Sequence, residues 1–204
     1  RHGRHDASTG WTGAPLLHEY NVGAACGAFW SGVKDAEGIP DSTMADGTPN
    51  GYARMRVEPD GRYALSWHPA RLRTDDASFT RTMALHAPRV LRHGAYPAWG
   101  VYANVFMAPP DARVEFRIDD GPWKPMSRVE RADPRLVTEN VRDDEATTLR
   151  GYDRSPEAQP STHLWRGALP TDLPPGAHRI DVRAADTDPA TLASTTYRLE
   201  EASP

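Results

Sequence analysis

From residue 51 onward the chain is built of short segments in which apolar and polar residues alternate, each cut off by proline or glycine. Residues 52–57 alternate, Pro59, Asp60 and Gly61 make a turn, and residues 63–67 alternate again, which spells a hairpin. The rhythm returns at 102–107, turned by Pro109, Pro110 and Asp111, and at 113–118, turned by Asp119, Asp120 and Gly121. Trp123 opens a further strand toward Met126, and residues 164–169 form another. Pro174, Pro175 and Gly176 then lead into a clean alternation over 178–184, expected to pair with the strand carrying Trp165, and residues 195–199 close the series. A period of two buries one face of a strand and wets the other, so short strands at even spacing pack as antiparallel sheets face to face. An all-β chain is expected: an antiparallel β-sandwich of immunoglobulin or fibronectin III type, preceded by a smaller β lobe, with one short helix.

The helix is expected over 133–152. Asp133 can cap it, Pro134 suits its first turn, and Leu136, Val137, Val141 and Leu149 fall roughly on one face. A charged stretch at 71–82, with no large aliphatic residue beyond Leu72, marks a boundary between residues 1–72 and 73–204.

The least polar run lies at 18–32, divided by Gly23, Gly27 and Gly32. Strand interiors avoid glycine, so its repeated use signals close approach of another backbone or of a ligand. Two readings stand, a buried kinked strand or a strand bordering a functional cleft, and in either something must cover the ring of Trp30. Cys26, the only cysteine, falls in this run as an expected buried, inert thiol, and it excludes an internal disulfide and a cysteine metal site. Residues 1–15 read as a loop, and 33–50 as a long irregular one of the kind that often carries function. At its end Asp46, Gly47, Asn50 and Tyr52 make either a tight turn into the hairpin or a place where a ligand comes close.

At 204 residues the chain is long enough for one large or two small domains. A net charge of −4 attracts neither nucleic acid nor an anionic membrane, and no apolar run approaches the length of a span. The opening, Arg1 to His5, carries neither an initiator methionine nor a signal peptide, so the chain is read as a piece of a longer polypeptide of unknown compartment.

No complete catalytic set is visible: H-E-x-x-H, G-x-S-x-G, the P-loop and G-x-G-x-x-G are all missing. His2, His5 and Asp6, with His18 and Glu19 as further donors, hint at a metal. A structural metal site takes about four well-placed ligands and a catalytic one about three plus water. A terminal tail and a partner-facing strand end account for these residues as well. Asp75 with Asp76, and Asp143 to Glu145, read as solvated charge, and Trp123 and Trp165 as core anchors. No catalytic residue, metal ligand or cofactor is assigned to this chain.

Five segments together resemble the C-terminal region of bacterial calcineurin-like phosphoesterases: 22–32 (VGAACGAFWSG), 46–52 (DGTPNGY), 119–123 (DDGPW), 161–165 (STHLW) and 175–183 (PGAHRIDVR). The first two in succession carry most of the likeness, and the last three occur in many Ig-like modules. The resemblance implies a parent enzyme in which two divalent metal ions activate water and clamp a phosphate ester. Its ligand motifs, D-x-H, G-D, G-N-H and G-H-x-H, lie upstream of such a region, and none is present here. Residues 1–72 would then supply closing strands of the catalytic sandwich, and 73–204 an appended Ig-like domain. The partners implied are the upstream catalytic half and a phosphate ester substrate. Trp30, Asp46, Asn50 and Tyr52 become candidates for one wall of the substrate cleft, and a periplasmic or secreted parent would fit. Residues 186–190 depart from the family's shorter glycine turn. The alternative is a free-standing Ig-like module that binds a glycan or a protein. An autonomous enzyme lacks both a nucleophile–base pair and a metal set.

Overall fold

The computed structural model describes residues 1–72, 76–96, 99–185 and 191–202. Strand β1 (His2–His5) pairs antiparallel with β2 (Leu17–Tyr20), His2 opposite Tyr20 and His5 opposite Leu17. Residues 1–15 are therefore not a plain loop: a strand opens them, and Asp6 then caps a short 3-10 turn at Ala7–Thr9. The apolar run after Tyr20 is not a strand at all. Residues 21–50 carry only isolated bridges, Lys34 with Pro40 and Thr43 with Pro49. Gly27 explains why: its φ of 67° belongs to no extended strand, and a Cβ there would lie 2.6 Å from the Thr43 carbonyl. The segment runs over the surface, so Cys26 is exposed rather than buried, and Phe29 and Trp30 present their rings to solvent. The glycines do mark a close backbone approach, but in a pinned loop.

The hairpin expected from residue 51 forms as β3 (Gly51–Val57) and β4 (Tyr63–Pro69), in register from Gly51 opposite Pro69 to Val57 opposite Tyr63. Eight strands and one helix follow before the last strand: β5 (Met83–His86), β6 (Val90–Arg92), β7 (Gly100–Val105), β8 (Val114–Ile118), β9 (Lys124–Pro125), β10 (Ser127–Ala132), α1 (Pro134–Asp144), β11 (Pro160–Ala168) and β12 (Gly176–Ala184). β13 (Thr191–Glu200) completes the order. They build a four-stranded sheet, β10-β11-β7-β5, and a five-stranded one, β6-β13-β12-β8-β9. All pairings are antiparallel except β6 with β13. The chain is all-β with a single helix.

One expected pairing does not occur. β11 and β12 flank Pro174 to Gly176 but lie in different sheets, so that turn is a crossover, and Trp165 meets Ile180 and Val182 across the core. The sheets approach so closely that a Cβ at Gly167 would lie 2.8 Å from the Phe116 ring. Trp165, 2% exposed, fills this core as expected. Trp123 does not: it is half-buried on the sheet edge between Arg183 and Arg117, whose guanidinium carbons lie 4.2 and 4.9 Å from its ring centre.

α1 stops at Asp144, eight residues short of its expected end, and its buried side chains are Leu136 and Asn140. Val137 and Val141 are exposed and Leu149 fully so, because the helix docks through a polar contact instead of an apolar stripe. Asn140 Nδ2 donates to the Pro156 carbonyl at 3.1 Å and its Oδ1 accepts from Ala158 N at 2.9 Å. A second apolar cluster ties the early strands to the sheets: Trp67 packs with Phe79, Ala84, Phe106 and Met107, and Tyr20, Met44 and Ala53 lean on it. Phe79 comes from the stretch read as a boundary. Residues 73–75, inside that stretch, and the departure at 186–190 lie outside the described residues.

Candidate functional site

A cleft of about 820 Å³ opens between the β1–β2 ribbon, β4 and the segment after β7, with His2, His18, Tyr20, Tyr63, Trp67 and Met107 in its lining. Strand pairing puts His2 and His18 on the same ribbon, and the β3–β4 hairpin delivers Tyr63 beside them. The Met107 carbonyl can only accept, so His2 donates to it from Nε2 at 2.8 Å. His2 Nδ1 then accepts from His18 Nε2 at 2.8 Å, and His18 Nδ1 accepts from the Tyr63 hydroxyl. The result is a one-way chain of hydrogen bonds from the Tyr63 hydroxyl to the Met107 carbonyl. Burial pushes the His2 pKa down, the Met107 carbonyl works upward against it, and His18 adds to the downward push. Met107 itself sits at φ 56°, an uncommon place for a non-glycine residue.

A buried polar latch joins the loop 41–50 to the four-stranded sheet. Asn104 Nδ2 donates to Asp133 Oδ2 at 2.7 Å and to the Asp46 carbonyl at 2.9 Å, which leaves its Oδ1 to accept from His163 Nδ1 at 2.9 Å. His163 Nε2 faces Asp46 Oδ2 at 3.1 Å, so the ring donates from both nitrogens. Burial raises the Asp46 pKa, but the hydrogen bond and charge of His163 and the Thr48 amide outweigh it and hold the carboxyl at about 2. Gly47 fits against Asp133, where a Cβ would lie 2.4 Å from Oδ2. Asn104, Asp133 and His163 are almost wholly buried, so their polar groups are answered by one another rather than by water, while the Asp46 side chain stays partly exposed.

The four residues singled out in the sequence lie apart from the cleft lining. Asp46 belongs to the latch, and Asn50 is buried with Nδ2 donating to the Ala25 carbonyl at 3.0 Å. Tyr52 is exposed, its ring nearly parallel to His68 at 5.1 Å between centres. Trp30 is 59% exposed, yet its loop is fixed: the buried Ser42 hydroxyl reaches the Cys26 and Phe29 carbonyls, and Gly32 N donates to Asp153 O at 2.9 Å. His163 went unnoticed in the sequence. Its only signal was a titratable side chain inside a strand segment, and apart from Ser161 its partners Asn104, Asp46 and Thr48 stand 59 or more positions away in the chain.

The family described as the C terminal of calcineurin-like phosphoesterase matches residues 19–189, from the end of β2 through β12. The chain belongs to this family. No curated protein and no solved structure matches it. The family implies a metal-dependent parent. His2 meets His18, and His5 Nε2 meets Glu19 Oε2 at 2.7 Å, as separate pairs, while Asp6 accepts from Ser8 N. Among the described residues no group of three or more His, Cys, Asp or Glu side chains could hold a metal ion. The donors of the described residues do not fit a metal centre.

Proposed function

We propose that this chain is an accessory region of a metal-dependent phosphoesterase, with residues 1–72 completing the catalytic sandwich and 73–204 forming an appended Ig-like domain. The family match over residues 19–189 carries the reading, since it runs through both parts. The architecture supports it: β1–β2 and β3–β4 are each two-stranded sheets with no further strand among the described residues. Isolated two-stranded ribbons are marginal in water, and free edges accept additional strands. An upstream catalytic half would supply those strands, the two divalent ions and the water that attacks a phosphate ester. The pinned loop bearing Trp30 and the turn bearing Asp46, Asn50 and Tyr52 would form one wall of its substrate cleft. The free-standing glycan- or protein-binding module has less support, because nothing in it calls for the early strands.

The test is to join the upstream half and measure hydrolysis of a generic phosphodiester. Activity should appear, and Trp30→Ala or Asn50→Ala should change KM more than metal content. A joined protein whose turnover ignores both substitutions, and whose early strands gain no protection from amide exchange, would leave only a structural module.

A further inference from the structure

Three cleft residues have an arrangement that catalysis by a parent enzyme does not explain. The His2 and His18 rings lie 7° from parallel, with centres 5.0 Å apart. Rings stacked face to face keep their planes about 3.5 Å apart, the contact distance of carbon atoms. Here one ring nitrogen lies 2.8 Å from the other ring's nitrogen, so the planes are closer than stacking allows. The rings therefore meet edge to edge. Tyr63 joins His18 in the same manner, 13° from parallel and bonded through its hydroxyl. Three rings thus make one continuous flat surface along a cleft whose volume suits a small-molecule site.

Every polar edge of this surface is used up by the chain that ends on the Met107 carbonyl, which leaves the ring faces for recognition. Trp67 and Thr82 also line the cleft, but Trp67 Nε1 and Thr82 Oγ1 are buried without partners beneath its surface, out of reach of a ligand. Buried polar groups without partners are rare and costly. Among the described residues Arg4 is the one guanidinium in the lining, paired with Asp111 at 3.1 Å, and no carboxylate lines the cleft, so an uncharged ligand suits it best.

We infer that the cleft binds an uncharged planar aromatic molecule of nucleoside size, laid flat on the His2–His18–Tyr63 surface. Stacking supplies affinity because every such ring has a π-face. This site stands on the cleft alone and holds whether or not the early strands complete a catalytic sandwich.

Adenosine is the probe, titrated at pH 8 into the whole chain while the His2, His18, Tyr63 and Trp67 ring signals are followed by NMR. Saturable shifts at these four rings are expected, with nuclear Overhauser contacts from the adenine protons to the Tyr63 and His18 rings. Tyr63→Ala should weaken binding about tenfold or more, and Tyr63→Phe, which keeps the face, should retain most of it. Cyclohexanol, a saturated ring with a hydroxyl, should not bind. The inference is overturned by shifts that do not saturate, by contacts to other residues, by binding that survives Tyr63→Ala, or by cyclohexanol binding equally well. The Overhauser contacts decide the matter even if a variant fails to fold.

Discussion

Replacing Asp46 by asparagine tests the latch at the scale of one carboxylate. Its folded pKa, about 2, lies below the ordinary 3.8, so its contribution is full above the ordinary value and fades as pH falls through about 2. Wild type should exceed Asp46→Asn by roughly 2 kcal/mol in urea denaturation near neutral pH, the gap closing in strong acid. His178 has the opposite sign. Its Nδ1 bonds Asp119 Oδ2 at 2.9 Å, and this bond raises its pKa, so its contribution is full below the ordinary value and is lost as pH rises. Thermal midpoints from about pH 6 to about pH 9 should fall less steeply in Asp119→Ala than in wild type. Trp165→Ala should cost about 3–5 kcal/mol, and an unchanged denaturation midpoint would contradict its place in the core. Trp165 was readable because an apolar residue in an alternating strand has one physical destination. Cys26 was misread by the same logic, since its apolar neighbours are mostly alanines and glycines with little area to bury. His163 was unreadable, because its meaning lies in Asp46 and Asn104, which only the folded chain brings near.

At the scale of elements, the start of α1 was legible and its end was not. Asp133 caps the helix by accepting from Arg135 N at 2.8 Å, a local contact that four consecutive residues encode. The end depends on Asn140 finding residues 156 and 158, which no helical periodicity announces. Asp133 also receives Asn104, so Asp133→Ala should cost more than a cap alone, about 2–3 kcal/mol by chemical denaturation. A loss below 1 kcal/mol would mean that water replaces the carboxylate cheaply. The hairpin β3–β4 was legible from its turn, whereas β5 and β6 were not, being short, nor β10, being weakly alternating. In hydrogen exchange, amides of β1–β4 should exchange faster than those of β11–β13, whose residues close the main core.

For the whole molecule, strand content was legible and strand partnership was not. Alternation shows which face of a strand is buried, but any buried face fits either sheet, so the Pro174–Gly176 crossover looked like a hairpin. Because no described donor group suits a metal ion, a chelator should leave the denaturation midpoint of the chain unchanged. β13 carries a further consequence, for biosynthesis. It lies between β6 and β12, so the five-stranded sheet is in two pieces until residues 191–200 have been made. A nascent chain that has already emitted β6 must hold Leu91 open to water while it waits, since β6 pairs with β13. Late, distant pairing is slow and leaves apolar edges unguarded, so a pause in translation just before Thr191 should be the moment at which this protein most needs a chaperone.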